Sequence, residues 1–114
     1  YFLPRLIGMQ KASALMMLAD KIGAAEAAQM GMIYKSIVDD QFEEQSWALA
    51  LKLASRPTVG LGLTKRLLNE SYRNTFAEQL KREGDEQIAA ASSKDYKEGV
   101  QAFLEKRKPT FTGE

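Results

Sequence analysis

Every apolar pattern longer than one turn in this chain has a period near 3.6 residues, and that constrains the fold more than any other feature of the sequence. Ala12, Leu15, Met16 and Ala19 recur at helical spacing, as do Phe42, Ser46, Leu49, Ala50 and Leu53. Leu61, Thr64, Leu67 and Leu68 follow the same rule, then Phe76, Leu80, Gly84, Gln87, Ile88 and Ala91, and finally Tyr96, Gly99, Val100, Phe103 and Leu104. Met32 to Val38 is the one extended-looking run, and no second run could pair with it, so it reads as a connector. The expectation is an all-α chain of about five or six helices with no sheet.

Local signals place the boundaries. Pro4 suits a first helical turn, closed quickly by Leu6, Ile7 and Gly8. Gly31 can take the left-handed conformation that stops the helix begun at Ala24. Asp39 and Asp40 are N-cap candidates, and Pro57 ends the helix that follows them. Asn74 or Thr75 caps the next pattern, Ser92 or Ser93 the last, and Pro109 closes it, leaving Thr110 to Glu114 as a frayed end. The helix from Phe42 to Leu53 carries Trp47 and Leu51 off its main stripe, so it needs cover on more than one side.

At 114 residues the chain has room for one domain, 1–114, and a core without staples. Sixteen Lys plus Arg balance fifteen Asp plus Glu, which argues against a nucleic-acid partner, and no apolar run approaches a membrane span. The absence of Cys and His removes disulfides, thiolate nucleophiles, His-based triads and the usual zinc sites. Any chemistry here rests on carboxylates, backbone N–H groups or residues outside these 114.

Few segments suggest a site. Gly60-Leu61-Gly62-Leu63-Thr64-Lys65 lacks the third glycine of a dinucleotide fingerprint and reverses the Lys-Thr order of a P-loop, so its glycines read as close helix packing. Glu43 with Glu44, and Glu83 with Asp85 and Glu86, sit among cations at helical spacing and read as solvated faces. The methionines read as core filler. Phe103 and Lys106, three apart on a helix and about 60° apart in projection, share one flank. An aromatic face beside a cation suits an adenine ring and a phosphate. Equally, Phe103 suits a core and Lys106 a solvated helix C-terminus.

The ordered set Leu3-Pro4-Arg5-Leu6-Ile7-Gly8, Lys11-Ala12, Ala25-Glu26-Ala27, Gly31-Met32-Ile33, Pro57, Lys65 and the run from Glu98 to Pro109 resembles the C-terminal portion of the crotonase superfamily, the enoyl-CoA hydratases and isomerases. Gly23 departs from it, since the family commonly has Ser there, which weakens a helix cap. Asp39-Asp40, Pro57-Thr58-x-Gly60-Leu61, Gln79-Leu80 and Asp95-Tyr96-x-Glu98-Gly99-Val100 are most similar to isomerases that act on a ring-epoxide of phenylacetyl-CoA.

The resemblance implies a helical trimerisation region that follows a β/α spiral domain. It also implies an acyl-CoA thioester as substrate without a prosthetic group, a homo-oligomer (trimer or hexamer), a cytoplasmic setting, and no nucleic-acid, membrane or metal partner. The family's catalytic carboxylates and oxyanion-hole N–H groups precede the position of Tyr1, so no catalytic residue is expected within the chain and no turnover from it alone. Phe103 and Lys106 match positions that approach the adenine and phosphate end of CoA. The alternative from a different class is a free-standing helical module that binds a partner protein.

Overall fold

The computed structural model describes residues 1–114 and contains seven helices and no strand. They are α1 (Phe2–Ile7), α2 (Met9–Leu18), α3 (Ala24–Gln29), α4 (Asp39–Ala54), α5 (Thr58–Ser71), α6 (Phe76–Ala91) and α7 (Lys94–Leu104). The all-α expectation holds, and the helix beyond the expected count is α1, where the Pro4 turn extends to a short helix of its own. The residues form two compact units, Tyr1–Gln45 and Ser46–Glu114, with the boundary inside α4. Met32 to Val38 is indeed a connector of turns and bends.

In the first unit α1 packs on α2 across Gly8, whose φ of 81° interrupts the helical path while its N–H still donates to the Pro4 carbonyl. Ile7, Ala12 and Ala27 are its buried apolar residues. Arg5 stacks over the Tyr1 ring at 3.9 Å and donates to the Tyr1 carbonyl at 3.0 Å. At the end of α3 the Gly31 N–H donates to the Ala28 carbonyl (3.1 Å) and the Met32 N–H to the Ala27 carbonyl (2.9 Å). With Gly31 at φ 82° this is a Schellman ending in which glycine takes the left-handed position. Gly23 caps α3 without a side-chain bond. Asp39 and Asp40 are not caps: both lie in the first turn of α4, where a negative charge still favours the helix dipole.

In the second unit α5 packs on α6 and α6 on α7. Thr75 caps α6 through a reciprocal box. Its hydroxyl oxygen accepts from the Glu78 N–H at 3.4 Å, and the Glu78 carboxylate accepts from the Thr75 N–H at 2.8 Å. The Thr75 N–H, and after it the Thr75 hydroxyl that also donates to this carboxylate at 2.8 Å, hold the Glu78 carboxyl below its usual range. Ser93 caps α7 by accepting from the Tyr96 N–H at 3.1 Å.

The inward face of α6 is polar, contrary to the simplest reading of its stripe, whereas α5 covers Val59, Leu63 and Leu67 beside Glu70. Gln79, Arg82, Glu86 and Ala90, at spacings of three and four, are the most covered positions of α6, while Phe76 and Ile88 are 83% and 71% exposed. Arg82 bridges to Glu70 of α5 at 3.1 Å and to Glu86 at 2.9 Å, and Arg66 reaches Glu86 at 3.4 Å. Glu86 is therefore buried and paired, not part of a solvated face, whereas Asp85 keeps an exposed i,i+4 pair with Lys81. Gly60 and Gly62 do not serve close packing within the chain, because a Cβ at either would meet nothing within 4 Å. Helices α4 and α5 bury no residue fully. The apolar stripes of α4, α6 and α7 thus face outward and leave large apolar surface exposed on this chain.

Candidate functional site

A groove of about 410 Å³ lies in the second unit. The start of α5, the end of α6, the length of α7 and the last residues of the chain build it, with Pro57, Tyr96, Val100, Phe103, Leu104 and Phe111 supplying most of its apolar wall. The outward stripe of α7 becomes its lining. Phe103, at 82% exposure, is no core residue in this chain. Its ring is available to stack on a flat partner.

Lys106 does not share a helical flank with Phe103 as the 3.6-residue projection requires, because α7 ends at Leu104 with Glu105 as its cap. The chain then turns left-handed, with Lys106 at φ 55°. The Lys106 N–H donates to the Phe103 carbonyl at 3.2 Å and the Arg107 N–H to the Ala102 carbonyl at 3.0 Å. This is the same Schellman ending that Gly31 makes after α3, with a lysine where glycine is favoured. A side chain there costs about 1 kcal/mol of backbone strain. Lys106 is exposed and lies outside the groove wall.

Beside Lys106, Arg107 anchors the turn. Its guanidinium donates to Glu98 through two parallel bonds, Nη1 to Oε1 at 2.6 Å and Nη2 to Oε2 at 2.9 Å, and through Nε to Glu105 Oε2 at 2.5 Å. The Thr110 N–H adds a bond to Glu98 Oε1 at 2.8 Å. Arg107 and then the Thr110 N–H hold the Glu98 carboxyl down to about 2, and the pairing raises Arg107 further above its ordinary value.

Residues 110–114 are tied down, not frayed. Asp95, 2% exposed, accepts from the Thr112 N–H at 2.7 Å and the Gly113 N–H at 2.9 Å, while its own N–H donates to the Glu114 carbonyl at 3.1 Å. Lys94 pairs with the Glu114 carboxylate. Periodicity alone could not reveal these anchors. The available signal was an acidic pair three apart, Asp95 and Glu98, on the same side of α7 ahead of a segment rich in unpaired backbone donors. No group of three or more acidic, His or Cys side chains is placed to hold a metal, and no helix is long and apolar enough to cross a membrane.

The enoyl-CoA hydratase/isomerase family model matches residues 1–114. The 1,2-epoxyphenylacetyl-CoA isomerase of Escherichia coli K12 is 42% identical over 113 residues, covering 99% of this chain and 43% of that protein. Among solved structures, enoyl-CoA hydratase from Bacillus anthracis superposes with a TM-score of 0.91 at 32% identity, covering 98% of this chain and 43% of its own. Enoyl-CoA hydratase/isomerase from Cupriavidus metallidurans CH34 gives 0.91 at 31% identity, covering 99% and 43%. The chain thus spans a little over two-fifths of the length of the relatives it matches. On the full-length family match and its seven helices, this chain belongs to the enoyl-CoA hydratase/isomerase family and corresponds to the helical C-terminal part of its fold.

Proposed function

We propose that the protein carrying this segment acts on an acyl-CoA thioester, as a hydratase or isomerase, and that residues 1–114 serve it as one helical domain. The segment supplies one edge of the CoA site and the apolar surface for a homo-oligomer, a trimer or hexamer. The similarity to the Escherichia coli isomerase favours a ring-epoxide of phenylacetyl-CoA as substrate and isomerisation as reaction type. No prosthetic group is required. The acyl-transforming carboxylate and the donors that stabilise an enolate oxygen lie outside residues 1–114, so the segment alone has no turnover.

The observation that carries the CoA edge is the end of α7. An exposed aromatic borders an apolar groove, and three residues later a lysine occupies a left-handed position that favours glycine. A side chain is accommodated there at a backbone cost, as Ala19 also is after α2, and at Lys106 that side chain carries a charge beside the groove's aromatic border. Phe103 offers a face to the adenine ring and Lys106 a charge-assisted bond to a phosphate. The outward stripes of α4 and α6, with Trp47, Phe76, Leu80 and Ile88 exposed, support the oligomeric reading, since such surface is ordinarily covered.

Lys106→Ala in the full-length protein tests the CoA edge. A lost charge-assisted bond, worth about 1.5 to 3 kcal/mol, weakens CoA binding roughly ten- to a hundredfold. Unchanged affinity returns Lys106 to the role of a solvated cation at a helix end.

A further inference from the structure

The groove has a wall that no helix supplies. Phe111, half-buried, stands against α7, where a Cβ on Gly99 would meet its ring at 3.6 Å. It belongs to residues 109–114, which have no regular secondary structure and whose backbone donors must find partners elsewhere.

Two carboxylates of α7 take three of those donors. Glu98 accepts from Thr110, and Asp95 accepts from both Thr112 and Gly113. Thr112 Oγ1 also reaches Asp95 Oδ1 at 3.5 Å. Asp95 is nearly fully buried, and every hydrogen bond its side chain makes goes to this strap. A carboxylate removed from water is costly unless bonded, so the strap and Asp95 stabilise each other's position. On its far side the strap is seated on α5. Gly113 has φ 79°, and a Cβ there would fall 2.6 Å from Thr58 Oγ1.

We propose that Asp95 is a positioning residue of the groove: it latches residues 110–113 so that Phe111 completes the wall bordered by Phe103. The proposal rests on the reading of this groove as the edge of a CoA site. Asp95 itself lines the groove, but at 2% exposure with its carboxylate bonded to the strap it is assigned an action through Phe111.

The test is a double-mutant cycle in the full-length protein, with CoA as the probe, affinity measured by calorimetry, and amide exchange of Thr112 and Gly113 followed in parallel. Asp95→Asn keeps the shape but turns an amide donor toward one of the two N–H groups it should accept. Exchange at Thr112 and Gly113 should accelerate. The Asp95→Asn and Phe111→Ala variants should each weaken CoA about two- to tenfold, the worth of one aromatic contact. The double variant should bind no more weakly than the poorer single one.

Multiplying losses, or unchanged affinity in Asp95→Asn while Phe103→Ala weakens binding, overturn the latch and leave the CoA reading intact. Conversely, unchanged affinity in Phe103→Ala and Lys106→Ala, with a non-additive loss in the strap variants, removes those two side chains from the CoA edge and keeps the latch. Unchanged affinity in all four overturns both. Should Asp95→Asn not fold, Gly113→Ala replaces it, because its Cβ meets Thr58 Oγ1 and displaces the backbone N–H that Asp95 accepts while leaving the Asp95 side chain in place.

Discussion

The Asp95 carboxylate and the Gly113 N–H, eighteen positions apart in sequence, are joined by a 2.9 Å hydrogen bond. That bond, with its neighbour from Thr112, turns the last residues of the chain into a wall of the groove. It couples an α7 side chain to a backbone position that only glycine fills without strain.

Gly113→Ala should lower stability by about 1 to 2 kcal/mol from the left-handed backbone alone, before the clash with Thr58 Oγ1 is counted. Thermal unfolding of the single variant and of the Gly113→Ala, Thr58→Ala pair separates the two contributions. Partial recovery in the pair is the expected outcome, and a single variant as stable as the parent contradicts the seat on α5.

The Glu98 latch has a defined pH dependence. Its folded pKa, about 2, lies below its ordinary value of 4.5, so its contribution is fully present above that value and is lost as the pH falls toward 2. Glu70, Glu78, Asp85 and Glu105 are shifted in the same direction by their own bonds. The protection factor of the Thr110 amide, taken against the intrinsic exchange rate at each pH, should fall on acidification through this window in the parent and be low throughout in Glu98→Gln. Equal protection in both proteins at neutral pH removes Glu98 from the strap.

Arg82→Ala should destabilise the packing of α6 on α5, because the buried Glu86 keeps only the longer contact to Arg66. Chemical denaturation should show a lower midpoint with little change in slope. An unchanged midpoint means that solvent replaces Arg82 without loss.

Residues 1–114 produced alone should self-associate or bind an apolar dye, given the exposed Trp47, Phe76, Leu80 and Ile88, and should not hydrate crotonyl-CoA. Sedimentation across a concentration series and a hydratase assay check the two statements. A strict monomer without dye binding, or turnover by the purified segment, opposes the reading of these helices as part of a larger enzyme.

Helix boundaries were legible because their causes are local. Thr75 and Ser93, each one of two candidates in the sequence, cap α6 and α7 as expected, while Pro57, read as the end of α4, stands three residues beyond it as the N-cap of α5. Facing was not legible. Period 3.6 identifies the apolar stripe of α6 but not which side meets α5, and the side that does carries Gln79, Arg82 and Glu86. The strap was hidden for a different reason: its order comes from carboxylates far back in the chain, and a segment without periodicity carries no sign of them. For the candidate site, the sequence singles out Phe103 and Lys106, while the left-handed turn that separates Lys106 from the helix depends on backbone bonds that helical projection ignores.

The most direct measurement is the affinity of the full-length protein for CoA with Lys106→Gly, read beside its melting temperature. Glycine removes the charge and also relieves the left-handed strain that Gly31 avoids in the matching turn after α3. The predicted result is a stability equal to or above the parent's, together with CoA binding weakened roughly ten- to a hundredfold. A variant that gains stability and binds CoA as tightly as the parent contradicts the assignment of Lys106 to the edge of the CoA site.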